Sequence, residues 1–307
     1  MSLAQLEDIE WIRARSLQHA CDELASNNQA GRKVWALAGC TDWMVERHAS
    51  PIEQGPLDAA ALDVSSIPDL RGISIDNNTM SIGAAEPYLS IARHPMVRER
   101  CSLLADMASN VGARQIQTRG TLGGNIVSGS PAADGVTALF ALDADVVLCS
   151  SHGERTVPIT SLYSGYRTTV RRPDELVVRV SFRLPKAGAL QLWRKVGTRK
   201  ALSISKIAVA ALAELEGDVV TRIGFGVASV AEVVLPLASV RDLVRGKSRS
   251  AEDVASVLHA AREATDREVR PIDDIRSTAR YRRHVANVLV SSFLDKLFQP
   301  CVENSHP

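Results

Sequence analysis

No two cysteines fall in a C-x-x-C pair: Cys21, Cys40, Cys101, Cys149 and Cys301 are scattered singly. That excludes the clustered thiolates of zinc and iron–sulfur sites, and an odd, dispersed set fits reduced thiols. The first residues, MSLAQLEDIEW, lack the basic end and apolar run of a secretory signal. No stretch approaches the roughly 18 apolar residues of a membrane span. A soluble, cytoplasmic chain is the expectation. Charge of one sign is missing as well. With 36 basic and 35 acidic residues the formal charge is +1, so nothing favours a nucleic acid or an anionic membrane as partner. The local cluster Arg280, Arg282 and Arg283 reads as a solvated helix face.

The common chemical motifs are absent too. There is no G-x-G-x-x-G, no H-E-x-x-H, no nucleophile elbow and no paired-carboxylate pattern. Gly246-Lys247-Ser248 copies the end of a phosphate loop, but position 241 is Arg where that loop needs Gly. The preceding segment is also helical in pattern, so the match is chance. The seven histidines are dispersed and read as surface or structural residues.

What is present is a 307-residue chain, 45% apolar, with material for one large domain or two ordinary ones. Ser16–Asn27 has helical spacing, and Lys33–Ala38 reads as a short buried strand running into Gly39, Cys40, Thr41 and Asp42. A helix then starts at Trp43, completing a strand–tight turn–helix unit. Leu62–Val64, Gly72–Ile75 and Met80–Ile82 read as strands, with Asp76, Asn77 and Asn78 turning between the last two. Pro95–Asn110 predicts one helix. The glycine-dense run Arg114–Gly135 is too long for an ordinary connection of about 4–6 residues and reads as functional. A helix at Val136–Leu142 and strands at Asp145–Cys149, Glu154–Val157 and Glu175–Phe182 follow. Pro185–Gly188 marks a boundary. Beyond it, Gln191–Val196, Ile207–Glu216 and Val219–Ala228 predict antiparallel strands, with Gly217–Asp218 as a hairpin turn. Helices at Leu237–Val244, Ala251–Thr265 and Thr278–Phe298 complete an α+β C-terminal part.

Two segments carry chemistry. In Leu37-Ala38-Gly39-Cys40-Thr41-Asp42, small residues between a buried strand and a helix start let backbone amides approach an anion. Alone, this is more often the pattern of a plain structural turn. In Gly120-Thr121-Leu122-Gly123-Gly124-Asn125, adjacent glycines can form a nest of N–H groups for phosphate. Thr121 and Asn125 add donors, and Asp134 in the following Ser130-Pro131-Ala132-Ala133-Asp134 can accept from sugar-type hydroxyls. Two such turns suit a pyrophosphate clamped from both sides; the competing reading is a pair of unrelated loops.

The pair AGCTD and RGTLGGN…SPAAD resembles the FAD-binding domain of the molybdenum hydroxylases. That family includes xanthine dehydrogenases, carbon monoxide dehydrogenase and hydroxybenzoyl-CoA reductase. The likeness continues through Gly165-Tyr166-Arg167-Thr168, Arg172-Pro173-Asp174-Glu175-Leu176 and Lys195-Val196-Gly197-Thr198-Arg199. It reaches Asp273-Asp274-Ile275-Arg276-Ser277 and Ala279-Arg280-Tyr281-Arg282, similar to a stretch of xanthine dehydrogenase flavin subunits. The implied fold is α+β: a two-subdomain FAD-binding domain of the vanillyl-alcohol oxidase (PCMH) type at 1–186, split near 65, then a smaller α+β domain at 187–307.

Carried over by position, Leu37, Ala38, Gly39, Cys40, Thr41 and Asp42 would wrap the FAD pyrophosphate, with Thr121, Leu122, Gly123, Gly124 and Asn125 holding its other side. Asp134 would anchor polar atoms of the cofactor, Leu176 or Val177 would pack near the flavin or adenine, and Lys195 would lie close to the flavin. Cys40 stands where the family usually has Gly, a position where a Cβ tolerates positive φ poorly. The hydroxybenzoyl-CoA reductase branch adds a cysteine-bearing insertion that this chain lacks. The resemblance implies an electron-transfer subunit of a heterotrimer. A molybdopterin-binding large subunit and an iron–sulfur small subunit would feed its FAD, which passes electrons to NAD or another acceptor. The C-terminal pattern leans toward purine or N-heteroaromatic hydroxylation. A free-standing FAD oxidoreductase of the same fold and a non-catalytic scaffold are the alternatives.

Overall fold

The computed structural model describes residues 9–49, 59–199 and 201–299. Cys301 and the first eight residues lie outside them. In chain order the elements begin with β1 (Glu10–Arg13), α1 (Leu17–Gln29), β2 (Lys33–Leu37), α2 (Trp43–Ala49) and β3 (Ala59–Asp63). Then come β4 (Ile73–Asp76), β5 (Thr79–Gly83), α3 (Tyr88–Arg93), α4 (Pro95–Arg100), α5 (Ser102–Asn110), α6 (Arg114–Gln117) and α7 (Leu122–Ser128). The middle continues with α8 (Asp134–Ala141), β6 (Asp145–Ser150), β7 (Gly153–Pro158), α9 (Ile159–Leu162), β8 (Tyr163–Gly165), β9 (Thr168–Thr169) and β10 (Leu176–Arg183). Last are β11 (Leu190–Val196), β12 (Ile207–Glu216), β13 (Val219–Ala228), α10 (Ala238–Val244), α11 (Val254–Glu268) and α12 (Ala279–Phe298).

These elements form two compact units that interleave along the chain. Among the described residues, the first takes those up to His94, then Ala108–Ser130 and Ala144–Leu184; the second takes Pro95–Met107, Pro131–Asp143 and those from Pro185 onward. Along the chain the two units change over near 94, 107, 130, 143 and 184.

In the first unit, β1, β3 and β2 form a parallel sheet with β3 central. Ala59, Ala60, Ala61 and Leu62 are all buried, the unbroken apolar run that a strand covered on both faces requires. Ser16 caps α1 by accepting from the His19 amide, and Ala20, Cys21 and Leu24 turn its apolar stripe into the core. A five-stranded antiparallel sheet of order β4-β5-β10-β6-β7 completes the unit. Its first hairpin turns on Asn77 and Asn78 at φ 46° and 66°, the left-handed pair that a two-residue turn needs.

In the second unit β11, β12 and β13 form an antiparallel sheet. Its central strand is buried on both faces. Ile207, Val209, Ala211 and Ala213 join the core shared with α10, α11 and α12. On the partner strand Gly224 and Gly226, paired with Leu212 and Ala210, lie against the backbone of α8.

The predicted helix over Pro95–Asn110 breaks in two at Cys101. The polar groups freed by the break are met from β11: the Gln191 side-chain amide donates to the Arg100 carbonyl at 3.1 Å, and its oxygen accepts the Leu103 amide at 3.4 Å. Such a break is stable because a distant side chain replaces the lost backbone bonds. Arg282, expected on a solvated face, is buried; it bonds the Asp274 carboxylate at 2.5 Å and the Ile272 carbonyl at 3.2 Å. Asp274 also accepts the Arg276 and Ser277 amides, and these bonds, led by that with Arg282, hold its carboxyl down at about 2. Among the described residues, Cys21, Cys40, Cys101 and Cys149 are free thiols, and no helix is long and apolar enough to cross a membrane.

Candidate cofactor site

A cavity of about 390 Å³ opens in the first unit, within the usual size range of small-molecule sites. One wall is the turn from β2 into α2, and Leu37, Ala38, Gly39, Cys40, Thr41 and Asp42 all line it. Opposite stand Gly120, Thr121, Gly123, Gly124 and Asn125. The two glycine segments, distant in sequence, thus face one cavity.

Glycine is required at their meeting point. A Cβ on Gly39 would sit 2.0 Å from the Arg119 carbonyl oxygen, and one on Gly123 would sit 2.6 Å from the Ala84 Cβ. The glycines act by allowing this close approach. They do not act as the expected nest. Neither Gly123 nor Gly124 has positive φ, and both lie in the first turn of α7. Thr121 caps that helix and accepts the Gly124 amide at 3.1 Å, the Gly123 amide goes to the Ala84 carbonyl at 2.8 Å, and the Asn125 amide goes to the Thr121 carbonyl at 3.1 Å. A threonine cap competes successfully for the amides that a nest would have aimed outward.

The donors for an anion lie elsewhere on the wall. Among the described residues no protein acceptor takes the backbone amides of Gly39, Cys40 or Thr41. The Trp43 indole nitrogen and the Arg171 Nε are buried without a hydrogen-bond partner, and both residues line the cavity. Arg171 donates through Nη1 to the carbonyls of Glu175 and Arg172, which fixes the guanidinium in place. Burial lowers its pKa, yet guanidinium stays charged at any physiological pH. The Glu175 carboxylate near it is occupied, taking a bidentate pair from Arg155 and the Arg172 amide. Buried N–H donors, one fixed cation and glycine-thin walls fit a diphosphate-bearing dinucleotide.

Cys40 adopts φ 59°, the left-handed conformation that glycine takes without strain. The turn therefore keeps its glycine geometry with a cysteine in it, at a cost of roughly 1–2 kcal/mol. Desolvation also raises the thiol pKa, so the thiolate is disfavoured. Cys40→Gly should stabilise the chain by about 0.5–1 kcal/mol after the extra entropy of unfolded glycine is subtracted, read by denaturant unfolding. A lower midpoint would contradict the strain argument.

Three positions carried over by resemblance lie off this wall. Leu122 is fully buried in the core rather than on the cavity. Asp134 and Lys195 belong to the second unit and bond each other at 2.5 Å; Asp134 also accepts from Ser205 at 2.9 Å. Both side chains are nearly buried, and desolvation raises the Asp134 pKa against the opposing pull of Lys195 and Ser205. Both oxygens of Asp134 are thus bonded within its own unit, which offsets the cost of burying them. Leu176 and Val177 do line the cavity. Trp35, Trp43, Glu46, Tyr88, Ser128, Arg167 and Arg171 line it too, beyond the positions carried over by resemblance. Sequence signals for two of them are the Gly165–Thr168 stretch, which contains Arg167, and the arginine pair at 171–172 before Pro173.

Residues 7–187 match the family described as the FAD binding domain in molybdopterin dehydrogenase, and residues 194–297 match the CO dehydrogenase flavoprotein C-terminal domain. The nicotinate dehydrogenase FAD-subunit of Eubacterium barkeri is 31% identical over 205 residues, 66% of this chain and 67% of that one. The carbon monoxide dehydrogenase medium chain of Hydrogenophaga pseudoflava is 29% identical over 78% of this chain and 82% of its own. A solved carbon monoxide dehydrogenase from Hydrogenophaga pseudoflava, lacking the Mo-pyranopterin moiety of its cofactor, superposes with a TM-score of 0.83 at 26% identity, covering 94% of this chain and 96% of that one. The chain is thus an FAD-binding medium subunit of the molybdenum hydroxylase family, a flavoprotein component of an oxidoreductase.

Proposed function

We propose that this subunit relays electrons inside a heterotrimer, receiving them from an iron–sulfur small subunit and passing them to NAD or another acceptor. A molybdopterin-binding large subunit would oxidise the substrate. The observation that carries the reading is the cavity in which both glycine segments face each other with buried, unpartnered N–H donors between them. Bound there, FAD would supply the conversion between two-electron and one-electron transfer, chemistry that belongs to the cofactor. The chain's own residues bind and orient. Residues 39–41 offer amides to the diphosphate, and Arg171 offers a fixed positive charge. Leu37, Leu176 and Val177 supply apolar wall, and the backbone contact of Gly39 with Arg119 sets the gap between the walls. The substrate is proposed to be N-heteroaromatic, in line with the Asp273–Arg282 pattern and the nicotinate dehydrogenase relative.

Tagging this chain in its native host and purifying it gently tests the reading. The expected product is a yellow complex with one FAD per chain, together with partner subunits carrying molybdenum and iron. A yellow chain that purifies alone and turns over substrate would favour a free-standing flavin oxidoreductase instead. A colourless chain would reject the cofactor role.

A further inference from the structure

Beside the amides and glycines of the two turns, the cavity lining carries two side-chain contacts. Asp42, immediately before α2, accepts from the Ser128 hydroxyl at the end of α7 at 2.7 Å. One turn further on, Glu46 of α2 pairs with Arg167 at 2.5 Å. All four residues line the cavity, and both contacts are solvent-exposed.

The far ends of these contacts are rigidly seated. Arg167 stands in the turn of the β8–β9 hairpin at φ 52°, and its Cα lies only 3.0 Å from where a Cβ on Gly129 would be. The Tyr163 hydroxyl of the same hairpin donates to the Ile126 carbonyl of α7 at 3.0 Å. The hairpin is thus held to α7 by a tyrosine hydroxyl on a backbone carbonyl and, at Gly129 just past the helix, by close backbone approach. Among the described residues, the segment from Asp42 into α2 reaches them through the side-chain contacts Asp42–Ser128 and Glu46–Arg167. Behind it, Gly39 packs directly on the Arg119–Gly120 backbone and fixes the inner end of the same wall. One edge of the wall is pinned by close backbone contact; the other is fastened by a hydroxyl–carboxylate bond and an exposed ion pair.

We infer that the Glu46–Arg167 pair and the Asp42–Ser128 bond act as a clasp across the cavity mouth, which must open for the dinucleotide to enter or leave. The inference rests on the cofactor reading above. It assigns Glu46, Arg167 and Ser128 to the rates of cofactor exchange and not to its affinity. A clasp closed in both the empty and the loaded protein opposes entry and exit equally, so weakening it speeds both and leaves their ratio unchanged. A direct ligand behaves otherwise: losing it speeds exit alone.

Exposed ion pairs are worth little, so the effect is modest and salt-sensitive. In the deflavinated full-length chain, FAD uptake is followed by stopped-flow quenching of flavin fluorescence. Release from the reloaded chain is followed by trapping free FAD. Glu46→Gln should raise both rates about two- to fivefold with an unchanged dissociation constant. Arg167→Gln should match it, and the double variant should be no faster than either single one. The ratio of variant to wild-type rates should fall toward one in molar salt. Unchanged rates overturn the clasp, and so does faster release with unaltered uptake, which would make the pair a direct contact. A wild-type chain that takes up no FAD would reject the cofactor reading itself, and the clasp with it.

Discussion

Gly39→Ala is expected to yield a folded chain that binds FAD at least about tenfold more weakly and purifies largely without it. The new methyl group would stand 2.0 Å from the Arg119 carbonyl oxygen and 2.7 Å from its carbon. Neither atom belongs to a flexible side chain, so backbone must move. The segment that gives way is the turn 37–42, because it runs along the cavity and has open space to move into. Overpacking of this kind costs about 1–3 kcal/mol, and about 1.4 kcal/mol is a factor of ten in binding. Moving the turn separates its amides from the wall of Gly120 and Thr121, so binding loses more than overall stability. The measurement is the FAD-to-protein ratio after purification, with titration of the deflavinated chain. Gly165→Ala is the control, since a Cβ there meets nothing and its φ is ordinary. Full flavin content in Gly39→Ala would mean that the two turns need not touch, and the site as described would be wrong.

The second large effect falls in the other unit and leaves the cavity residues alone. Gly226→Ala places a Cβ 1.9 Å from the Thr137 carbonyl oxygen and 3.1 Å from the Phe140 Cβ. A Cβ on Gly224, two residues earlier on the same face, would sit 2.1 Å from the Ala141 carbonyl oxygen. The backbone of α8 therefore lies directly on β13, with no side chain between them. Thr137 and every other residue of that helix are buried, so it cannot lift without exposing its whole apolar surface. Destabilisation of about 3 kcal/mol is expected, a fall of roughly 6–12 °C in the unfolding midpoint, measured by calorimetry. An unchanged midpoint would show that α8 has slack that this packing denies.

Much of the architecture was legible because it is encoded by neighbours. The strands at Ile207–Glu216 and Val219–Ala228 appear with the bounds read from the sequence, since apolar runs and a Gly-Asp turn specify a hairpin locally. The β2–turn–α2 unit and the glycine run stood out for the same reason. The errors share the opposite cause. Cys101 breaks a helix because Gln191, far along the chain, replaces the lost bonds. Gly123 and Gly124 form helix and not nest because Thr121 caps them while Ala84, on a different element, takes an amide. Arg282 is buried because Asp274 waits for it.

By itself the amino-acid sequence determined the family and the cofactor class and singled out the two turns that line one cavity, since those follow from residue type at close spacing. Only the tertiary structure decided how the site works in detail. It placed Arg171, Glu46 and Arg167 on the cavity, paired Asp134 with Lys195, and gave the glycines a steric task in place of a donor one. The reason is physical: a hydrogen bond or a close approach between distant residues depends on three-dimensional distance, and no local pattern of side chains encodes it.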